Sequence, residues 1–508
     1  MRPIPPISAL SSRRTLALLL LPAATSLSAC GGPTGTDGGD PPTATHLEFT
    51  VTPDDAAAGV PLAPSVEVEV QDASGDRVSS SSASVSIALE NNPGGATLGG
   101  ETTVAASDGV AEFDDLTLAV PAEGYVLEAT SGSLTPAISD SFAVQLVFGE
   151  ISAGGGHTCA VTVADRLHCW GLNADGQLGS STSDSCESGS SSVACSTVPA
   201  AVETGSTFAQ VSAGRVHTCA VTTEGEAYCW GSNGYGQLGD GTTTDRASPT
   251  AVSATVAFER VSAGRFHSCG LTADGEAVCW GRNDGGQLGD GTTTDRTAPV
   301  AVSSARTFRE VSAGGFHTCA VTTTDEAYCW GDNGEGQLGD GTTTDRTSPT
   351  AVSTAQSFGQ LRAGELHTCG VTTADEAYCW GANSSGQLGD DTNTDRTEPV
   401  AVSTTNSFAR VSPAVGNSGF HTCGVTTTDE AYCWGRNGEG QLGDGTTTSR
   451  AAPVPVSGLL ALMRTSAGEW HSCGVTTDGE AYCWGYNEWG QLGDSTTTDA
   501  SGPTAVSR

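Results

Sequence analysis

The sequence predicts an all-β chain in which a β-sandwich precedes a closed ring of seven four-stranded units. Three observations carry that reading. Gly contributes 67 of the 508 residues, and with frequent Ser and Thr and little Leu, Met or Lys such a composition favours short strands and tight turns. Between residues 46 and 145 apolar and polar residues alternate at the two-residue period of a strand. From residue 146 onward one phrase recurs seven times, with His157, His217, His267, His317, His367, His421 and His471 spaced by 60, 50, 50, 50, 54 and 50 residues. A fixed period of that size marks a repeat architecture.

The N-terminus has the order of an export signal. Arg13 and Arg14 precede an apolar run from Leu16 to Leu21, followed by Leu27-Ser28-Ala29-Cys30; the run is too short for a permanent membrane span. The last four residues resemble a bacterial lipobox. That resemblance implies removal of residues 1–29 and lipidation of Cys30, which tethers the chain to a membrane. Ser12 to Leu16 also half-match a twin-arginine signal, so both export routes stay open. The Gly, Pro and Thr stretch that completes residues 30–45 is expected to be a flexible linker. The expected location is lipid-anchored in the cell envelope, at the outer membrane or cell surface.

In residues 46–145, Leu47, Phe49 and Val51 alternate, as do Val66, Val68 and Val70 against Glu67 and Glu69, and Val85, Ile87 and Leu89. Roughly seven short strands in about 100 residues is the expectation for a sandwich. The stretch from Asp108 to Phe113, then Leu116, then Gly124 to Ala129 resembles bacterial Ig-like domains of the invasin type. Such domains serve as stalks or adhesive modules, which implies a spacer here.

The third copy of the repeat begins at Phe258 and carries His267, Cys269, Cys279, Trp280, Gly281, Asn283 and the run Gly286-Gln287-Leu288-Gly289. Four strand candidates emerge per copy: Phe-x-x-Val, His-x-Cys-x-Val/Leu, Ala-x-Cys-Trp-Gly and Pro-x-Ala-Val. One such unit cannot bury both faces alone, so neighbours must stack on it and seven copies close a ring. The phrases Ala-Gly-x-x-His and Trp-Gly-x-Asn-x-x-Gly-Gln-Leu-Gly closely resemble the regulator of chromosome condensation repeat. The resemblance implies that residues 146–508 form a seven-bladed β-propeller. The Gly after each Trp, Gly171 and Gly281 among them, suits close backbone approach or positive φ, and the Leu of Gly-Gln-Leu-Gly is expected to plug the space between blades. Phe148 to Ala153 opens the first copy and Pro503 to Val506 ends the last, which leaves open that the two termini complete one blade together.

Seventeen cysteines divide into Cys30, seven pairs at ten-residue spacing, and Cys186 with Cys195. The pairs are Cys159 with Cys169, Cys219 with Cys229, Cys269 with Cys279, Cys319 with Cys329, Cys369 with Cys379, Cys423 with Cys433 and Cys473 with Cys483. Residues ten apart across a short turn sit opposite each other, so one disulfide per blade is expected. Zinc is the rival, but His and two Cys supply three ligands where a structural site takes four, and an oxidising location favours the disulfide. Cys186 and Cys195 are expected to close a small surface loop within the insertion that lengthens the first interval.

The net charge of −37 and sequence pI near 4.3 repel phosphate backbones, so no nucleic-acid partner is expected. A His in the same slot of every blade indicates packing, since an active site needs different residues converging on one place. No nucleophile elbow, phosphate loop or paired-carboxylate motif stands out; no catalytic residue, metal or cofactor is expected. The Asp-Gly-Thr-Thr-Thr-Asp-Arg loops, such as Asp240 to Arg246, have too few acidic positions for calcium and are expected to hold exposed, weak ion pairs.

Differences between the copies point to function. After Ala-Gly the loop residue runs Gly155, Arg215, Arg265, Gly315, Glu365, Gly419 and Glu469; before Gly-Gln-Leu-Gly stand Asp175, Tyr235, Gly285, Glu335, Ser385, Glu439 and Trp489. Repeat proteins bind through such variable loops. Tyr235, Trp489, Arg215 and Arg265 are the candidate binding residues. The expected function is non-enzymatic: a membrane-anchored protein presenting a propeller to a protein or glycan. The alternative is a propeller that inhibits or regulates a partner enzyme. The guanine-nucleotide exchange that the family resemblance suggests conflicts with the export signal, the acidity and the cysteine pairs.

Overall fold

The computed structural model describes residues 42–181, 184–188, 191–417, 419–458 and 460–507. Cys30, the export signal and most of the linker lie outside them. The chain divides into two compact units, Met1–Gln145 and Leu146–Arg508.

The described part of the first unit holds two sheets. One pairs His46–Val51 with Val66–Gln71 and Val66–Gln71 with Val110–Phe113, all antiparallel. The other runs Ala56–Ala57, Phe142–Gln145, Ala122–Thr130, Ser84–Asn91 and Thr103–Ala105, with Ala137–Ile138 added on Ala122–Thr130. The two-residue alternation has its physical counterpart in burial: Val66, Val68 and Val70 are fully buried, while Glu67 and Glu69 are only partly so. Tyr125, also fully buried, donates its hydroxyl to the Val120 carbonyl at 2.8 Å, which satisfies the polar end of an otherwise apolar ring.

The second unit consists of seven antiparallel sheets in succession. Blade 3 is typical, with strands Phe258–Ala263, His267–Thr272, Ala277–Gly281 and Arg296–Ala301 in that spatial order. The inner strands, from Phe148–Ala153 in blade 1 to Leu462–Ala467 in blade 7, line a central cavity. Adjacent blades share a core. Leu167 and Leu178 of blade 1 pack with Phe208, Val211 and Trp230 of blade 2, and the pattern repeats round to blade 7, where Val475 and Leu492 meet Phe148 and Trp170 of blade 1. All seven Trp of the Cys-Trp-Gly strands are fully buried. Burying one such ring contributes roughly 3 kcal/mol or more on an area basis.

Ring closure differs from the shared-blade arrangement that the termini allow. Phe148–Ala153 lies in the first sheet and Ala500–Ala505 in the seventh, each blade complete within its own repeat. The seam is closed by the same contacts as every other seam: Trp170 Nε1 donates to the Gln491 carbonyl at 3.0 Å, and Glu469 N to the Gly154 carbonyl at 3.1 Å. Because the contacts within each seam come from one conserved phrase of the repeat, no special latch is needed.

The seven cysteine pairs face each other in register on the second and third strands, Cys159 opposite Cys169 and likewise in each blade, with Cα atoms 4.0 to 4.1 Å apart, and each pair is a disulfide. Their sulfurs are therefore committed to one another, which removes the thiolates that zinc would need. Cys186 and Cys195 also form a disulfide, with Cα atoms 5.8 Å apart. They do more than close a surface loop: Asp184–Ser188 forms a fifth strand on blade 1, paired with Ser191–Ala201, and both sulfur-bearing residues are buried.

Gly281 shows why Gly follows each Trp. Its φ is +105°, and a Cβ there would stand 2.6 Å from the Phe266 carbonyl oxygen and 2.7 Å from His267 Cα. Only a residue without a side chain lets the third strand come this close to the start of the second, and on its other side the register against the fourth strand shifts between Cys279 and Gly281.

Candidate functional site

The seven repeat histidines are fully buried and join blades. His267 Nε2 lies 2.9 Å from Thr318 Oγ1 of the next blade, and Thr318 Oγ1 donates to the Gln287 carbonyl at 2.8 Å. A hydroxyl has one proton to give, and the carbonyl takes it. The imidazole nitrogen must therefore be the donor, which fixes the Nε2–H tautomer. Trp330 Nε1 donates to the same Gln287 carbonyl at 3.0 Å. The relay recurs at every seam, including His471 to Thr158 across the closure at 2.8 Å. Nδ1 of all seven rings is buried without a partner, so no acceptor awaits a second proton. Burial holds each of these imidazoles down to a pKa of about 3. These histidines hold the ring together as neutral groups.

The Asp-Gly-Thr-Thr-Thr-Asp-Arg loops are tighter than exposed ion pairs. The Asp240 side chain is only 4% exposed. Its Oδ1 accepts from Thr242 N and Oγ1 at 2.9 and 2.7 Å, and its Oδ2 from Arg246 Nε at 2.9 Å. Asn233 closes the loop by donating to the Thr242 and Thr244 carbonyls. The carboxylate is sheltered because it organises the turn from inside, a role invisible in charge spacing alone.

The loops after Ala-Gly lie at one end of the ring, where the third strands also finish. Here the variable residues complement one another. Arg215 Nε lies 3.4 Å from Glu469 Oε2, a pair that reaches across blade 1, where the corresponding residue is Gly155. Arg265 pairs with Glu365 across blade 4, where Gly315 stands: a Cβ on Gly315 would lie 2.5 Å from Glu365 Oε2. Glu365 Oε2 also accepts from Gly416 N at 2.9 Å, within the four-residue enlargement of the blade 6 loop. Burial pushes the Glu469 carboxyl up from the usual range, against the pull of Arg215. Arg215 and Arg265 are thus bound into this network, their side chains 25% and 15% exposed.

Two aromatic clusters stand on the same end. In the first, Tyr235 packs on Phe266 with ring centroids 5.2 Å apart. Arg282 lies 5.4 Å from the centroids of both Tyr235 and Phe316, and Arg265 lies 4.7 Å from that of Phe316. These are cation–π distances. In the second, Arg436 lies 4.3 Å from the Trp470 centroid, and Tyr486 packs on Trp470 and on Trp489 at 6.4 and 5.2 Å. The structure brings Tyr235, Arg215 and Arg265 together around Phe266 and places Trp489 in the second cluster, over Gly156 at the seam of blades 7 and 1. Tyr235, 40% exposed, is the most open of the four. Phe266, Phe316, Arg282, Arg436, Trp470 and Tyr486 are members that loop comparison at two positions missed. The residue before each repeat His and the residue after each Trp-Gly would have revealed them.

The comparisons with known proteins agree with this architecture. The RCC1-like domain model matches residues 124–361. Models of the regulator of chromosome condensation (RCC1) repeat match residues 375–425, 428–475 and 478–508, and residues 360–387 and 464–491. Among curated proteins, the ultraviolet-B receptor UVR8 of Arabidopsis thaliana is 37% identical over 99 residues, 19% of this chain and 20% of its own length. RCC1 domain-containing protein 1 of Homo sapiens is 32% identical over 133 residues, 20% of this chain and 35% of its own length. The E3 ubiquitin-protein ligase HERC2 of Homo sapiens is 32% identical over 144 residues, 25% of this chain and 3% of its own length. The chain thus spans about a third or less of these relatives. Among solved structures, human WBSCR16 superposes with a TM-score of 0.60 at 22% identity, covering 68% of this chain and 94% of that one. Yeast RCC1 (Prp20), bound to Kap60, gives 0.58 at 18% identity, covering 72% and 86%. At these identities the structural likeness is one of fold. The propeller is built of regulator of chromosome condensation (RCC1) repeats, and the chain falls in the RCC1 repeat family.

Proposed function

We propose that this is a non-enzymatic lipoprotein of the cell envelope that binds a partner protein through the Ala-Gly end of its propeller, with the first unit as an Ig-like spacer. The single observation that carries the reading is the cluster of Tyr235, Phe266, Phe316 and Arg282 at the end of the ring where the blades differ. Aromatic and Arg side chains on a rigid scaffold are the residue types that anchor protein interfaces, because they supply large apolar area at small entropic cost. The chain's acidity elsewhere weighs against a nucleic-acid partner. Eight disulfides suit an oxidising compartment, and the sequence before residue 31 supports export and lipidation of Cys30. Among the described residues each buried His is committed to a neighbouring blade, which supports a binding rather than a catalytic role.

Proximity labelling from the anchored protein in intact cells tests this reading. The native chain is expected to label a partner that a Tyr235→Ala/Arg282→Ala variant no longer labels. Identical labelling by both would contradict the assignment of the face.

A further inference from the structure

The inner strands surround an axial cavity of about 200 Å³. Its chemistry is unlike that of the rest of the chain. Arg260, Arg362, Arg410 and Arg464 line it against only two carboxylates, Glu150 and Glu310, and no Asp or Lys. A protein of net charge −37 has therefore gathered a surplus of two positive charges on its axis.

One of these arginines comes with a compensating change in the backbone. In six blades the residue equivalent to Arg362 is a Ser whose Oγ accepts the N–H of the next blade's inner strand, as Ser312 accepts from Ala363 N at 3.0 Å and Ser412 from Ala467 N at 3.1 Å. Blade 5 has Arg362 instead. The residue that would have donated to it is Pro413, which has no N–H. The exchange of Ser for Arg thus leaves no buried donor stranded.

From this arrangement we propose that the axial cavity is a binding site for a small multivalent oxyanion, held by the guanidinium groups of Arg260, Arg362, Arg410 and Arg464. Glu310 is already occupied: it pairs with Arg362 and accepts the Leu361 N–H at 2.9 Å. Among the described residues, no carboxylate lies within 4.0 Å of Arg410 or Arg464. Nε of Arg464 is buried without a hydrogen-bond partner, and Nε of Arg260, likewise without one, has the Glu259 carboxylate at 3.7 Å. Glu150, on the same wall, feels the pull of all four arginines and supplies one negative charge; arginine cannot relieve the remaining surplus by losing its proton at ordinary pH, so it calls for a further counter-ion. Burial and the neighbouring Arg464 and Arg362 do draw the Arg410 guanidinium below its ordinary value. The planar fork of each guanidinium matches the paired oxygens of phosphate-like and carboxylate groups. The shared chemistry is that of an oxyanion bearing two or more charges, compact enough for the cavity.

Titration calorimetry on the full chain, with inorganic phosphate and separately with citrate at an ionic strength fixed by sodium chloride, tests the proposal. Saturable binding of at least one is expected, weakened tenfold or more by Arg410→Gln and unchanged by Arg166→Gln, an exposed arginine away from the cavity. Tighter phosphate binding assigns the ligand to the phosphate class and tighter citrate binding to the polycarboxylates. Arg464→Gln carries the same expectation if Arg410→Gln does not fold. The native protein gives a measurement free of variants: phosphate or citrate raises its thermal midpoint above that in chloride at equal ionic strength. No saturable heat with either anion, a midpoint no different from that in chloride, or binding that survives both substitutions would overturn the proposal.

Discussion

His317 illustrates how one side chain serves two blades: it bonds the Thr368 hydroxyl at 2.8 Å, and that hydroxyl bonds the Gln337 carbonyl at 2.8 Å. Replacing it with Ala removes a donor, strands the hydroxyl's acceptor site and opens a cavity, at a cost of about 2 to 4 kcal/mol. Denaturant unfolding of His317→Ala is the check. The seven relays also make stability depend on pH. An unfolded imidazole takes up a proton below its ordinary value of 6.5, whereas the folded ones do so only near 3. Their contribution is therefore complete above about pH 6.5 and is lost as pH falls toward 3, by about 1.4 kcal/mol per pH unit for each His. The thermal midpoint is expected to be flat from pH 7 to 8 and to fall steeply between pH 6.5 and 4. A midpoint unchanged over that range would show that the imidazoles titrate normally. At the Ala-Gly end, Arg265→Ala leaves the Glu365 carboxylate, 1% exposed, without its counter-charge. A loss of about 3 to 5 kcal/mol is expected from denaturant midpoints, with partial recovery in Arg265→Ala/Glu365→Gln. The residue scale was the least legible in the sequence. The partner of His317 lies 51 residues away, although a Thr or Ser follows every repeat His and signals a hydroxyl with a shared task. The axial arginines are hidden in the sequence because they sit two or four residues after the first position of four inner strands, outside the variable loops.

The element scale was far more legible. The four strand candidates of a copy fall on the four strands that every blade contains, blade 1 adding a fifth, because their boundaries are set by features with local physical causes: the register shift at Gly281, the paired cysteines and the tight turn between them. The cysteine spacing alone puts Cys319 opposite Cys329, since an antiparallel hairpin with a short turn allows little else. Less was visible in the insertion of blade 1, whose Ser-rich sequence lacks strand patterning yet forms a fifth strand held by Cys186 and Cys195. A loop of about ten residues closed by one disulfide contributes about 2 to 3 kcal/mol through the unfolded state. Cys319→Ser/Cys329→Ser is expected to lower stability by that amount in denaturant melts while the far-ultraviolet dichroism of the native state is retained, because the strands are also held by Trp330 and its neighbours. Thiol titration of the unreduced, unfolded chain is expected to detect none of the sixteen paired cysteines.

For the whole molecule, seven similar blades produce a ring whose individuality lies in a few positions. The Gly, Arg and Glu residues after Ala-Gly pair across the smallest of their number, and two aromatic clusters rise beside them. Ring closure was not legible, since the sequence allowed the termini to share a blade; it follows instead from the repeat phrase being complete at both ends, so that blade 7 meets blade 1 as blade 1 meets blade 2. The proposed binding surface is the Ala-Gly end of this ring. A photo-crosslinking amino acid placed at Tyr235, and in a second chain at Asp274, an exposed turn residue at the other end of blade 3, tests it directly in intact cells. Crosslinks to a discrete partner from position 235 and none from position 274 are expected. The reverse pattern, or crosslinking of the same partner only from position 274, would contradict the account.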